Sequence, residues 1–275
     1  MELQPIYKTE DLKPSYKLRY GWTGWPSTGA LPDPPSQQSG FWHELDELWE
    51  TDGLRRLEAK WTPKLIQLTC SVQPEVSPTL FTSRVKGRLQ HALRKIGTPI
   101  RFSRKLAFRA IGDNTREDVE RYIEKQIDRE PFADERFREL MRQFTVVNSD
   151  INLSEPTETH SGRYWYNLHL VLVTQRRHRI VDVGRLATVR DMCLRIAQKK
   201  GHGLSRLAVA PDHVHMSLRG AIERSPAEIA FAYLNNLAYA LGQNAIWQFG
   251  YYIGTFSEYD MHAVRRGSDS AAGGE

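Results

Sequence analysis

Leu207-Ala-Val-Ala-Pro-Asp212-His213-Val214-His215-Met-Ser-Leu-Arg-Gly220 divides at its Pro-Asp turn into two apolar runs. Each run has the composition of a strand, at 204–210 and 213–220. On a strand, residues two apart point to the same face. His213 and His215 therefore project side by side, with Val214 buried opposite. Two neutral imidazoles at that spacing can share one divalent metal. With nine histidines in 275 residues, the spacing alone is more readily that of a chance pair.

Outward from this hairpin, the second half reads in a definite order. Tyr164 to Thr174 is a strand, followed by the basic turn Gln175-Arg-Arg-His-Arg179. A helix from Arg185 to Lys200 stops at Gly201, and the two strands of the hairpin follow. Ser225-Pro226 opens a helix to about Gly242: serine at the cap and proline at the first position are the expected start. A strand from Ile246 to Thr255 and a short helix from Asp260 complete it.

The first half has the same order. Residues 1–15 read as a polar, irregular arm. Tyr16 to Trp25 is a strand, and the proline-, glycine- and serine-rich stretch from Pro26 to Gly40 is a loop. Phe41, Leu45, Leu48 and Trp49 have helical spacing. Strands at 55–60 and 64–72, a helix from Ser77-Pro78 to about Ile96 and a strand at 100–109 follow. A helix capped by Thr115 runs to about Arg129, and another covers 131–144. The halves repeat with a period of about 150 residues. Tyr16-Lys-Leu18 matches Tyr166-Asn-Leu168, and Ser77-Pro78 matches Ser225-Pro226. The predicted fold is α+β: two tandem ferredoxin-like units, each an antiparallel sheet with helices on one face. Their expected bounds are 1–147, a linker at 148–162, 163–267, and a disordered tail at 268–275.

Composition sets the class. The chain is 40% hydrophobic and 26% charged, enough to build real cores, and its net charge of +5 suits a polyanionic partner. Cys70 and Cys193 make no disulfide framework, so a reducing, cytoplasmic setting is expected. The opening residues do not have the form of a signal peptide, and no apolar run approaches membrane-spanning length.

The repeat lets each half be read against the other. Where the second half has His213-Val-His215, the first has Leu65-Ile-Gln67. Where the first has Tyr122 and Gln126 on its last helix, the second has Gly267 and Ala271. Tyr122 and Gln126 are four apart and share a helix face. A tyrosine hydroxyl can act as a covalent nucleophile, and a glutamine carbonyl can be a third ligand for Mg²⁺ or Mn²⁺. Spacing alone fits better a surface tyrosine beside an unrelated glutamine.

Pro211-Asp-His-Val-His215, Tyr122-Ile-Glu-Lys-Gln126, Lys86-Gly-Arg-Leu89 and the strand from Trp247 together resemble the HUH single-tyrosine transposases, including the REP-associated tyrosine transposases. The resemblance covers roughly 60–130 and 163–267. It implies metal-assisted cutting and joining of single-stranded DNA at hairpins, through a 5′-phosphotyrosine link on Tyr122. It further implies a Mg²⁺ or Mn²⁺ ion held by His213, His215 and Gln126, with Asp212 either orienting a histidine or only completing the turn. Family members pair as dimers, the histidines of one subunit meeting the tyrosine helix of the other. Here the motif order is inverted and each half lacks what the other has, so an internal pseudo-dimer with one composite site is expected, as a monomer or a homodimer. DNA contacts are expected from Arg84, Lys86, Arg88, Arg94, Arg101, Arg104 and Lys105, and from Arg176, Arg177 and Arg179; each is also readable as part of a solvated face. Two other readings stay open: a replication-type nickase, and a domesticated transposase that binds DNA or RNA hairpins without cutting.

Overall fold

The computed structural model describes residues 4–36, 40–242 and 245–258. The first half contains β1 (Ser15–Lys17), β2 (Arg19–Pro26), α1 (Phe41–Thr51), β3 (Leu54–Trp61), β4 (Ile66–Val72), α2 (Pro78–Lys95) and β5 (Phe102–Ile111). Then come α3 (Arg116–Glu124), α4 (Gln126–Arg129), α5 (Glu135–Arg142) and β6 (Thr145–Val147). The second half contains β7 (Thr157–Glu158), β8 (Gly162–Trp165), β9 (Asn167–Val173), α6 (Val183–Lys200), β10 (Gly203–Val209), β11 (His213–Arg219), α7 (Pro226–Ala240) and β12 (Tyr252–Thr255).

Two six-stranded sheets result. The N-sheet has the order β3-β4-β2-β5-β8-β7 and the C-sheet β1-β12-β9-β11-β10-β6. Within each lies the same four-stranded antiparallel core, β3-β4-β2-β5 in one and β10-β11-β9-β12 in the other. The chain runs strand, helix, strand, strand, helix, strand through both. The register fixes the equivalence: Tyr20 pairs with Cys70 and Ala110, as Leu168 pairs with Leu218 and Thr255. Leu65-Ile66-Gln67 therefore stands where His213-Val214-His215 stands in the other sheet. Even the irregularity repeats. β3 slips against β4 between Arg56 and Glu58, and β10 slips against β11 between Leu204 and Arg206, which are equivalent places.

The entering strands cross over. β1 runs parallel to β12 in the C-sheet, and after Leu18 the chain continues as β2 in the N-sheet. β8 runs parallel to β5 in the N-sheet, and after Tyr166 the chain continues as β9 in the C-sheet. The expected unbroken strands at 16–25 and 164–174 are each two strands in different sheets. The crossing also shifts the repeat: Leu18, not Tyr16, is equivalent to Tyr166. A slip of two preserves strand alternation and is invisible to it.

Helices α1 and α2 pack on one face of the N-sheet, and α6 and α7 on one face of the C-sheet. Ser77 and Ser225 cap α2 and α7 as expected, accepting from the backbone N–H of Leu80 and Glu228. One buried core runs through both halves, from Trp22, Leu68 and Phe81 to Leu170, Met216 and Leu234. Tyr20 and Tyr166 meet edge to face at 6.0 Å.

Several expectations need correction. Over its described residues, 4–15, the arm is not free: Tyr7 is fully buried, and its hydroxyl donates to the Trp247 carbonyl at 2.9 Å while Asn235 Oδ1 accepts from the N–H of Ile6 and Tyr7. Tyr7, with Ile6 and Leu12 packed beside it, docks the stretch on the core. The segment 148–162 between the halves is packed against the second, with Leu153 buried and its carbonyl accepting from Asn167 Nδ2 at 2.9 Å. The helix expected to run from Thr115 to Arg129 breaks at Lys125, and the strand expected over 246–255 is regular only from Tyr252. The helix at Asp260, Gly267, Ala271 and the tail at 268–275 lie outside the described residues. No described helix is long and apolar enough to cross a membrane.

Candidate active site

α3 comes from the first half but packs on β10 and β11 of the C-sheet, on the face opposite α6 and α7. Thr115 caps it by accepting from the Asp118 N–H at 3.2 Å, with acidic residues in the first turn. Val119 and Ile123 form a small apolar cluster with Leu153, Ala208 and Phe256. The slip in β10 turns two successive residues, Ser205 and Arg206, toward this helix. Ser205 donates to the buried Glu120, and Arg206 pairs with Glu124. Arg116 donates to Glu120 at 2.7 Å and to Glu258, beyond β12, at 2.6 Å. α3 is therefore held on three sides by the second half.

That docking brings the separated motifs together. Gln126, first residue of α4, is buried with its Nε2 3.0 Å from His213 Nε2. The Tyr122 ring stands 5.4 Å from the His215 ring, centroid to centroid. His213 and His215, both buried on β11, face each other edge-on at 4.9 Å. Asp212 Oδ1 lies 2.6 Å from His213 Nδ1, and Arg177 donates to its other oxygen at 3.2 Å. Burial opposes the charge on Asp212, but His213 and Arg177 outweigh it and hold the carboxyl below its usual range. Burial, then the neighbouring His169 and His213, pushes His215 down to about 2. Near neutral pH its imidazole is uncharged, the form that binds a metal.

Three groups near the site have no signal in the motifs. His169 on β9 has its Nε2 3.0 Å from His215 Nδ1. Glu130 accepts from Gln126 Nε2 at 3.2 Å. The Arg129 guanidinium lies over the Tyr122 ring, 4.6 Å from its centroid. A cleft of about 540 Å³ opens beside these, lined by Tyr122, Arg121, Arg129, His169, His215 and Tyr252 among others. A space of that size accepts a nucleotide unit.

The donors suit a divalent ion. Among the described residues no three His, Cys, Asp or Glu side chains form a ready-made cage. The set here is two imidazoles and an amide, and Gln126 Oε1 is buried with no hydrogen-bond partner. A buried carbonyl oxygen without a donor, on the side chain that meets His213, is a group short of a cation.

The basic residues named from sequence divide. Arg88 is taken up by Asp52 in two bonds of 3.0 and 3.2 Å, with Arg84 3.5 Å from the same carboxylate. Lys86 donates to the Ser103 carbonyl at 2.9 Å, and Arg179 lies over the Phe132 ring. Arg94, Arg101, Arg104, Lys105 and Arg176 are exposed. None of the ten lines the cleft at Tyr122; Arg121 and Arg129 do.

Residues 163–266 match the sequence model of a family described as "Transposase IS200 like". No curated protein matches the chain. Among solved structures, a Deinococcus radiodurans R1 protein described as a transposase aligns at 22% identity over 38% of this chain and 88% of its own, with a TM-score of 0.31.

Proposed function

We propose that this chain, whose residues 163–266 match the model of the IS200-like transposase family, is a transposase that cuts and rejoins single-stranded DNA at hairpin-flanked sites. In this reading, two ferredoxin-like units, 1–147 and 163–267, are fused as an internal pseudo-dimer around one composite site. The repeated strand order and the crossed entering strands support the fusion. The observation that carries the function is the meeting of Gln126 with His213 at 3.0 Å beside Tyr122. Two half-sites, one from each half of the chain, meet there in this reading.

The chemistry follows from the side chains. Tyr122 Oη attacks the scissile phosphorus, losing its proton to solvent. The bond from phosphorus to the 3′-oxygen breaks, and that oxygen leaves as a 3′-hydroxyl after taking up a proton. The 3′ fragment stays on Tyr122 through its 5′-phosphate. Attack by another 3′-hydroxyl reverses the step and joins strands without an external energy source. Asp212 accepts the Nδ1 proton of His213 and so keeps the Nε2 lone pair facing Gln126. Arg129, beside the phenol, is placed to pair with a non-bridging phosphate oxygen. When bound to His213, His215 and Gln126 Oε1, Mg²⁺ or Mn²⁺ would polarise the phosphate and offset charge developing on its oxygens. The exposed Arg94, Arg101, Arg104, Lys105 and Arg176 would track the phosphates further out.

The test is a hairpin oligonucleotide labelled on its 3′ side, incubated with the full chain and Mn²⁺. The proposal requires a denaturant-stable adduct carrying the 3′ fragment, absent in Tyr122→Phe and in chelator. A mobility shift without adduct would make the protein a hairpin binder. An adduct that survives in Tyr122→Phe would assign the nucleophile elsewhere.

A further inference from the structure

A histidine that binds a cation through one ring nitrogen must carry its proton on the other, and that proton needs an acceptor. For His213 the acceptor is Asp212, 2.6 Å from Nδ1. For His215 the only group within hydrogen-bond distance of Nδ1 among the described residues is His169, whose Nε2 is 3.0 Å away. The two rings lie nearly parallel, 26° apart with centroids at 5.3 Å. His169 sits on the central strand β9, paired on its two sides with Ser217 and Gly254. Both neighbours are small, and the ring can lie flat along His215.

Two tautomer arrangements satisfy this contact. If His169 carries its proton on Nε2, it donates to His215 Nδ1, and the His215 proton moves to Nε2, which then cannot hold a cation. If His169 carries its proton on Nδ1, its Nε2 accepts from His215 Nδ1–H, and His215 Nε2 is left as a bare lone pair.

We infer that His169 is a positioning residue: it accepts the Nδ1 proton of His215 and thereby presents unprotonated His215 Nε2 to the divalent cation. This rests on the proposed function and names a residue that its motifs do not contain. His169 is not itself a ligand in this arrangement, because its Nε2 is used by His215.

The internal repeat supplies an independent control. By register, His169 corresponds to Gly21, His213 to Leu65 and His215 to Gln67. Lys64 precedes Leu65, where Asp212 precedes His213. The half that lacks the two ligands lacks both of their partners as well. A histidine kept only for packing in a strand has no reason to be absent together with the other three.

The test uses the full chain and Mn²⁺ binding, read by electron paramagnetic resonance of the free ion, with thermal melting as the folding control. His169→Phe keeps the volume and removes the acceptor, and should weaken Mn²⁺ binding by about 10- to 100-fold. His169→Gln can accept the same proton through Oε1 and should stay within about threefold of wild type. Equal loss in both variants would overturn the inference and leave only packing, as would a His169→Phe that binds as tightly as wild type. A second measurement needs no variant: long-range ¹H–¹⁵N correlation on the metal-free wild type should show His215 protonated on Nδ1. Protonation on Nε2 overturns the inference. The function itself fails separately, if wild type binds Mn²⁺ no better than His213→Ala.

Discussion

At the scale of the residue, the sequence shows a histidine when it has a partner at a diagnostic spacing. His213 and His215 are two apart on a strand and declare a shared face. Tyr122 and Gln126 are four apart, and the geometry survives although the helix breaks between them at Lys125. His169 stands alone in Asn167-Leu-His-Leu-Val-Leu-Val173. Alternation shows that it leaves the core with Val171 and Val173, but nothing local says what it meets. Glu130 and Arg129 are equally silent: their contacts, Gln126 and Tyr122, are local, but the histidines that make a site of them lie on the other half's sheet. A buried histidine outside the site offers a separable test. Burial, then the charges of Lys200 and Arg224, lowers His202 from 6.5 to about 4. The unfolded chain takes up a proton below pH 6.5, and the folded chain resists it until about pH 4, so stability present above 6.5 is lost as the pH falls. His202→Gln should flatten the fall in urea stability between those limits by up to about 1.4 kcal/mol per pH unit. Parallel pH profiles for wild type and variant would contradict this.

At the scale of the element, capping and periodicity located most helices and strands, and Ser-Pro found the starts of α2 and α7. What escaped was where strands change sheets. The breaks at Leu18 and Tyr166 fall inside continuous strand patterns with neither glycine nor proline at the crossing; they exist because the other half provides an edge, β12 or β5, for the entering strand. The slip in β10 was also illegible, yet it decides how α3 docks, by turning Ser205 and Arg206 to one side. Ser205→Ala leaves the buried Glu120 with one donor fewer and should cost about 1–3 kcal/mol. The loss should be local, as faster amide exchange in α3 with exchange in β9 and β11 unchanged. Unaltered protection in α3 would mean that Arg116 and Arg206 alone hold the helix.

At the scale of the whole molecule, the two halves close on each other where β5 and β12 end. Thr255 Oγ1 donates to the Ile111 carbonyl at 2.6 Å and accepts from the Arg19 N–H at 3.0 Å. The next residue, Gly112, lies so close that a Cβ there would sit 2.1 Å from the Thr255 carbonyl oxygen. Gly112→Val should therefore separate the halves at the cost of more than about 2 kcal/mol, seen as a lowered denaturant midpoint. An unchanged midpoint would show that the closure is slack. The repeat was legible in sequence as an order of elements, and the complementary losses at Leu65, Gln67 and Gly267 pointed to one shared site. Sequence could not say whether Tyr122 meets the histidines of its own chain or those of another, since no local pattern encodes that distance. In the structure the meeting is within one chain. The most direct test is complementation between Tyr122→Phe and His213→Ala, each purified alone and each inactive in forming the DNA adduct. An intrachain site cannot be rebuilt by mixing, so the mixture should stay inactive at every protein concentration. Adduct formation that returns on mixing and rises with concentration would contradict the account, because it requires the tyrosine of one chain to reach the histidines of another.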